Sequence, residues 1–166
     1  MKLHRWWSTG LVVLALGLGA CSKQEVAAPA KASKQEVSIE AVTAQAKGFN
    51  VGALMSANTV YVFFDAQCPH CGHLWQASGP LQKKLKFVWI PIGMINATST
   101  AQGAALLTAA SPQTLMAEHE ASLLAGKGGI SASASVPPEI EQTIKANTQL
   151  FNSFGAESVP FVVAKN

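Results

Sequence analysis

Two apolar runs dominate the hydrophobic pattern: Val60-Tyr61-Val62-Phe63-Phe64 and Phe87-Val88-Trp89-Ile90-Pro91-Ile92. Both are β-branched and aromatic without polar alternation, which suits strands buried on both faces of a parallel sheet. Residues 68 to about 85 between them read as a helix. Cys68 suits its N-cap and Pro69 its first helical position, where a missing N–H costs nothing. Gly79-Pro80 predicts a kink or break inside it. Strand, helix and strand make a β-α-β unit with a parallel pair, and Pro91 belongs at the strand's exit or on an exposed edge.

Downstream the pattern turns helical. High Ala/Leu content predicts helices over about 100–110 and 112–124, with Ser111-Pro112 marking the second start. Residues 126–138 are Gly/Ser-rich loop. A third helix over 138–154 puts Ile140, Ile144, Phe151 and Phe154 near one face, and Gly155 ends it. Val159-Pro160 then precedes a short apolar run, Phe161-Val162-Val163. The expected class is α/β.

Upstream of about Phe49 there is no core pattern. Lys2 and Arg5 precede an apolar stretch over 11–18 that is shorter than the ~18 to 20 residues needed to span a bilayer. This is a signal peptide, and Leu18-Gly19-Ala20-Cys21 resembles the bacterial lipobox, which implies lipidation at Cys21. Residues 22–47 are rich in Ala, Lys, Gln, Glu and Ser, and Ser22-Lys23-Gln24-Glu25-Val26 recurs as Ser33-Lys34-Gln35-Glu36-Val37. They read as a tether, with a short helix near 36–45. The expected division is a signal peptide over 1–20, a lipidated N-terminus and flexible linker over 21–48, and one domain over 49–166. Its helical insertion covers about 97–154.

Composition adds little to this. Of 166 residues 49% are hydrophobic and 13% charged, the net charge is +3, and no basic stripe interleaved with aromatics is present. No nucleic-acid partner is implied.

The chemistry concentrates at Cys68-Pro69-His70-Cys71. Unpaired N–H groups and the positive end of the helix dipole favour a thiolate at Cys68, and His70 pushes the same way when protonated or donating a hydrogen bond. Cys71 is close enough to close a disulfide and, less exposed, would be the resolving thiol. A fall in the Cys68 pKa from ~8.5 to ~5.5 would stabilise the reduced form by roughly 2 kcal/mol at pH 7. That makes the disulfide roughly 45 mV more oxidising. The cysteine count then closes: Cys21 carries lipid, and Cys68 and Cys71 form the redox pair in a compartment where a disulfide persists.

Cys-Pro-His-Cys after a buried strand resembles the thioredoxin superfamily. Residues 64–71, Trp89-Ile90-Pro91-Ile92-Gly93, the helix around 115–123, and Phe154-Gly155-Ala156 leading to Val159-Pro160 resemble the catalytic domain of DsbG/DsbC-type thiol:disulfide interchange proteins. The dipeptide between the cysteines and the valine before Pro160 resemble DsbA-type proteins instead. The resemblance covers about residues 55–166. It implies a thioredoxin-like fold with a helical insertion and a thiol:disulfide oxidoreductase or interchange activity without a cofactor. Cys68 and Cys71 would be catalytic, with Pro69, His70 and Asp65 tuning them. Pro160 would be a cis-proline that, with Val159, pairs with a substrate backbone. Partners would be exported proteins carrying thiols or disulfides and a membrane redox partner.

The pattern departs from the family at both ends. Residues 22–57 are too few and too polar for the family's dimerisation domain, which implies a monomer. The family's hairpin, last strand and C-terminal helix are missing after Ala164-Lys165-Asn166, so a truncated sheet is expected, with Phe161 to Val163 an unpaired apolar edge. Val62 stands six residues before Cys68, where some members place a buried acid. Asp65 reads foremost as a helix cap, His73 and His119 as solvent-facing, and Trp75 and Trp89 as core or pocket-lining aromatics.

Two other function classes use the same residues. Cys68, His70, Cys71 and His73 could hold zinc or copper, but adjacent helical side chains diverge and no second ligand pair completes the set. Haem attachment is excluded because Gly72 follows the second cysteine. A lipoprotein binding module with a structural disulfide explains the motif poorly, since so small a loop stabilises little. The expected location is periplasm-facing and lipid-anchored, with Ser22 after the lipidated position favouring the outer membrane.

Overall fold

In the computed structural model, which describes residues 34–165, the two apolar runs become β2 (Thr59–Asp65) and β3 (Lys86–Ile92). They pair in parallel, with Val60 opposite Phe87 and Phe64 opposite Pro91. β1 (Phe49–Gly52) adds antiparallel to β3, and β4 (Phe161–Ala164) adds antiparallel to β2. The order is β1-β3-β2-β4. Period-two alternation sends Val62 and Phe64 to one face and Phe63 to the other, and each face carries its own core.

The first face is covered by α2 (Pro69–Ser78), with α3 (Ala97–Thr108) and α4 (Pro112–Leu124). Trp75, Leu106 and Met116 pack there against Phe64, Phe87 and Trp89. The second face is covered by α5 (Pro138–Ser153) and α1 (Ile39–Gln45), which bring Leu150, Phe151 and Val42 onto Phe63, Ile90 and Ile92. Among the described residues no helix is long and apolar enough to cross a membrane.

Several expectations are corrected. The folded body starts well before residue 49: Val42 is 1% exposed in the core, and Gln35 N–H donates to the Ser153 carbonyl at 2.7 Å. β1 carries only four residues, too short for the alternation to be read beforehand. The long helix stops at Ser78, and Gly79–Lys83 continues as a 3-10 turn, so Gly79-Pro80 acts as a break. α3 starts at Ala97 rather than near 100, because Asn96 and Ser99 form a reciprocal cap. Asn96 Oδ1 accepts from Thr98 N–H at 2.9 Å, and Asn96 N–H donates to Ser99 Oγ at 3.2 Å.

Pro91 lies at the exit of β3 as expected, but it is buried, not on an exposed edge. Pairing with β1 stops at Trp89, opposite Phe49, two residues before Pro91. The Pro91 carbonyl accepts from Asn147 Nδ2 at 3.0 Å on the side β1 has vacated, where an N–H would also have pointed. No ladder bond is lost there. Among the described residues β4 pairs with β2 alone, and Val162 is 47% exposed. The signal peptide, the lipobox and Cys21 lie outside the described residues.

Candidate active site

The carboxyl end of β2 turns directly into α2, with Cys68 at its N-cap in an extended conformation and Pro69 in the first turn. Among the described residues no side chain caps this helix. The Cys68 carbonyl accepts from Cys71 N–H at 3.0 Å and Gly72 N–H at 3.3 Å, and Cys68 N–H donates to the Asp65 carbonyl at 3.0 Å. Opposite it, β4 begins just after Val159–Pro160, whose peptide bond is cis. The Cys68 thiol lies 3.5 Å from the Val159 carbonyl oxygen. Two segments 91 residues apart in the chain thus meet at one sulfur.

The cysteines are unbridged and differ in acidity. A hydrogen bond from the Cys71 side chain is the largest influence on Cys68, lowering its pKa from 9.0 to about 6. Burial opposes this, while the Cys71 and His70 backbone and the His70 charge reinforce it. Cys71 is fully buried, and the same contact, burial and the Cys68 charge push its thiol far above the ordinary range. The proton shared by the pair rests on Cys71.

The flanking residues are less as expected. Asp65 is no helix cap: its carboxylate accepts from Gln67 N–H at 2.8 Å, Met94 N–H at 2.7 Å and Ile95 N–H at 3.0 Å. It ties the end of β2 to the loop after β3. His70 and His73 are both exposed, with ring centroids 6.1 Å apart. Among the described residues no group of three or more His, Cys, Asp or Glu side chains is placed to hold a metal ion. Trp75 and Trp89 stack edge-on in the core.

His119 is not solvent-facing. It is fully buried, with Nε2 2.6 Å from the Ala66 carbonyl and Nδ1 accepting from Ile130 N–H at 3.1 Å. Those contacts make Nε2 the protonated nitrogen of a neutral ring, and burial lowers its pKa. Beside it Gln67, immediately before Cys68, donates to Gln102 Oε1 at 2.5 Å and to the Gly128 carbonyl at 3.0 Å. Gln102 in turn donates to the Gly128 and Ile130 carbonyls, both at 2.8 Å. The helical insertion therefore holds the turn that presents Cys68. Glu120 is 1% exposed on α4, and among the described residues its carboxyl oxygens have no hydrogen-bond partner.

No protein-family model matches the chain. It is 30% identical over 118 residues to the thiol:disulfide interchange protein DsbG of Pseudomonas aeruginosa, covering 69% of this chain and 45% of that protein. The Escherichia coli protein of the same name is 31% identical over 105 residues, 62% of this chain and 42% of the relative. The chain belongs to the thioredoxin superfamily. It spans less than half the length of these two curated relatives. Among solved structures, a periplasmic thioredoxin-like protein from Salmonella enterica serovar Typhimurium superposes with a TM-score of 0.60 at 17% identity, covering 78% of this chain and 86% of that one. The thioredoxin-like fold is thus common to chains with little sequence in common.

Within this thioredoxin frame, the residues that a linear reading overlooks all sit in or against the helical insertion. Gln67 and Gln102 left no signal, since glutamines in a loop and a helix are ordinary surface residues. Glu120 carried a weak one. Gly72 is a glycine inside a helix, which favours a close neighbour over helix stability. A Cβ there would come within 2.5 Å of Glu120 Oε2.

Proposed function

We propose that this chain is a periplasm-facing thiol:disulfide oxidoreductase that forms or exchanges disulfides in exported proteins through Cys68 and Cys71. The observation that carries the reading is the pairing of an acidic thiol at a helix N-terminus, 3.5 Å from the carbonyl before a cis-proline, with a fully buried partner thiol. A sulfur with a pKa of about 6 is mostly thiolate at pH 7, so it is both a ready nucleophile and a good leaving group. The shielded Cys71 stays protonated until it is needed.

In the oxidising direction a substrate thiolate attacks the Cys68 sulfur of the Cys68–Cys71 disulfide, and Cys71 leaves with the electron pair. A second substrate thiolate attacks the substrate sulfur of the mixed disulfide and releases Cys68 as thiolate. In the reverse direction Cys68 attacks a substrate disulfide, and Cys71 resolves the mixed disulfide. Val159 and Pro160 would hold the substrate backbone beside Cys68. Pro69 and His70 would tune it from the first turn of α2. Asp65 would act indirectly, by fixing the turn before Cys68.

Similarity to two thiol:disulfide interchange proteins and to a periplasmic thioredoxin-like protein of Salmonella supports an exported interchange protein. The basic start, short apolar stretch and Leu18-Gly19-Ala20-Cys21 support a lipid anchor at Cys21 facing the periplasm, with the outer membrane favoured by Ser22. A membrane redox partner would reset the pair, and the domain would work as a monomer.

The test is Cys71→Ala expressed in an exporting bacterium. It should accumulate mixed disulfides with exported proteins, and adding Cys68→Ala should abolish them. Recovery of no disulfide-linked protein from the Cys71→Ala variant would sink the reading.

A further inference from the structure

The helical insertion leaves a groove beside the redox turn that the exchange steps above do not use. Its volume is about 670 Å³, and its walls are the first turns of α3 (Ala97, Thr98, Ala101, Gln102), the Ser/Ala-rich loop over residues 130–136 and Glu141 of α5. A second pocket of about 270 Å³ shares Thr100 and Glu141 with it and reaches Gly93, just past the end of β3. The groove adjoins the reacting sulfur. Gln102 in its wall is hydrogen-bonded to Gln67, immediately before Cys68, and Asn96 at the head of α3 donates to the Gln67 amide oxygen at 3.1 Å.

The sheet order gives the groove a direction. β4 and β3 flank β2 on opposite sides. Val159-Pro160, at the start of β4, and the groove along α3, which follows β3, therefore lie on opposite sides of the turn after β2. A chain that lies on Val159 and crosses the Cys68 sulfur runs on into the groove.

Its lining suits a polypeptide. Residues 131–136 alternate serine with alanine or valine, so the wall excludes few side chains by size. Among the described residues, the hydrogen bond made by their backbone is from Ser135 N–H to Ser133 Oγ at 3.1 Å. The other N–H and C=O groups of this stretch are open to partners, and an extended chain supplies them as water does. Glu141, exposed, is the one charged side chain lining the groove among the described residues, whereas Lys145, one turn on, lines only the second pocket.

We propose that this groove binds the substrate segment flanking the reacting cysteine as an extended polypeptide, and that Glu141 selects segments carrying a lysine or arginine there over acidic ones. The inference rests on the thiol:disulfide reading given above and adds a substrate class to it: unfolded chain with a basic residue near its cysteine. Pairing along the loop backbone supplies affinity that ignores sequence, and the carboxylate supplies the preference.

The experiment uses the Cys71→Ala background, which stops the reaction at the mixed disulfide. Unstructured peptides carry one cysteine as its mixed disulfide with thionitrobenzoate, and one lysine or glutamate placed about two to eight residues away, an extended span of up to roughly 28 Å. The Cys68 thiolate attacks the peptide sulfur, the Cys68–peptide bond forms, and the coloured thionitrobenzoate leaves as thiolate with the electron pair, so its absorbance reads the rate. The thionitrobenzoate disulfide of free cysteine is the control. Lysine peptides should react about threefold faster than glutamate peptides at one or two neighbouring placements and equally at the rest. Glu141→Gln should remove that difference and Glu141→Lys invert it, with the control rate unchanged. Ala101→Phe fills the groove and should slow every peptide about tenfold while sparing the control; if it does not fold, the exposed Glu141 variants carry the test. A lysine advantage that is absent, that is equal at all placements or that persists in Glu141→Gln overturns the groove assignment alone. No thionitrobenzoate release from the control overturns the exchange reading itself, and this inference with it.

Discussion

At the residue scale the acidity of Cys68 depends more on its partner than on its helix. The Cys71 side-chain hydrogen bond is the largest lowering influence, ahead of the backbone N–H groups and the His70 charge. Cys71→Ala should therefore move the Cys68 thiolate transition from about 6 upward towards 9, read by ultraviolet thiolate absorbance, while His70→Ala moves it less. A Cys71→Ala transition still near 6 would return the credit to the helix N-terminus. A fall from 9.0 to about 6 stabilises the reduced form by at most about 1.4 kcal/mol at pH 7, and by less after solvent screening. That corresponds to about 30 mV, below the 45 mV argued from the sequence alone. Cys68, Pro69 and Cys71 were legible because cap, first-turn proline and spacing are local properties of the chain. Asp65 and His119 were not, because their partners, Met94 and Ile95 for one and Ala66 and Ile130 for the other, come from distant segments.

At the scale of elements, the contact between α2 and α4 decides how closely the insertion approaches the redox turn. Gly72 normally costs its helix about 1 kcal/mol relative to alanine, so Gly72→Ala would stabilise an isolated α2. Here the added Cβ meets Glu120 Oε2 at 2.5 Å and Leu124 Cγ at 3.2 Å. The substitution should instead destabilise the protein, by about 1–3 kcal/mol in a urea titration. Combining it with Glu120→Ala should recover much of that loss, since the double variant removes the clash. A stabilised single variant would mean that α4 does not press on α2. The helices themselves were readable from Pro112, Pro138 and Gly155, which punctuate their ends. α1 was harder to see as part of the fold. Only Val42 of its seven residues is fully buried, so the short helix expected near 36–45 read as part of a tether and not as the element that closes the second core.

For the whole molecule, these groups pull the dependence of stability on pH in opposite directions. Cys68, lowered from 9.0 to about 6, binds fewer protons folded than unfolded across that window, so stability rises with pH there. His119, also lowered, adds stability that is lost as pH falls below 6.5. Glu120 runs the other way. Raised from 4.5 to about 8, it keeps its proton in the fold while the unfolded chain has released it, so stability falls as pH rises from 4.5 to 8. Glu120→Gln removes this slope and leaves a buried amide of similar shape. Compared with the wild type at matched pH, the variant should gain nothing near pH 4.5 and up to about 3 kcal/mol by pH 7. Urea unfolding of the reduced proteins across pH 4.5 to 8 measures the difference. A difference that stays flat with pH would show that Glu120 is ionised in the fold. A growing one would identify a carboxyl that the fold keeps protonated at the expense of stability.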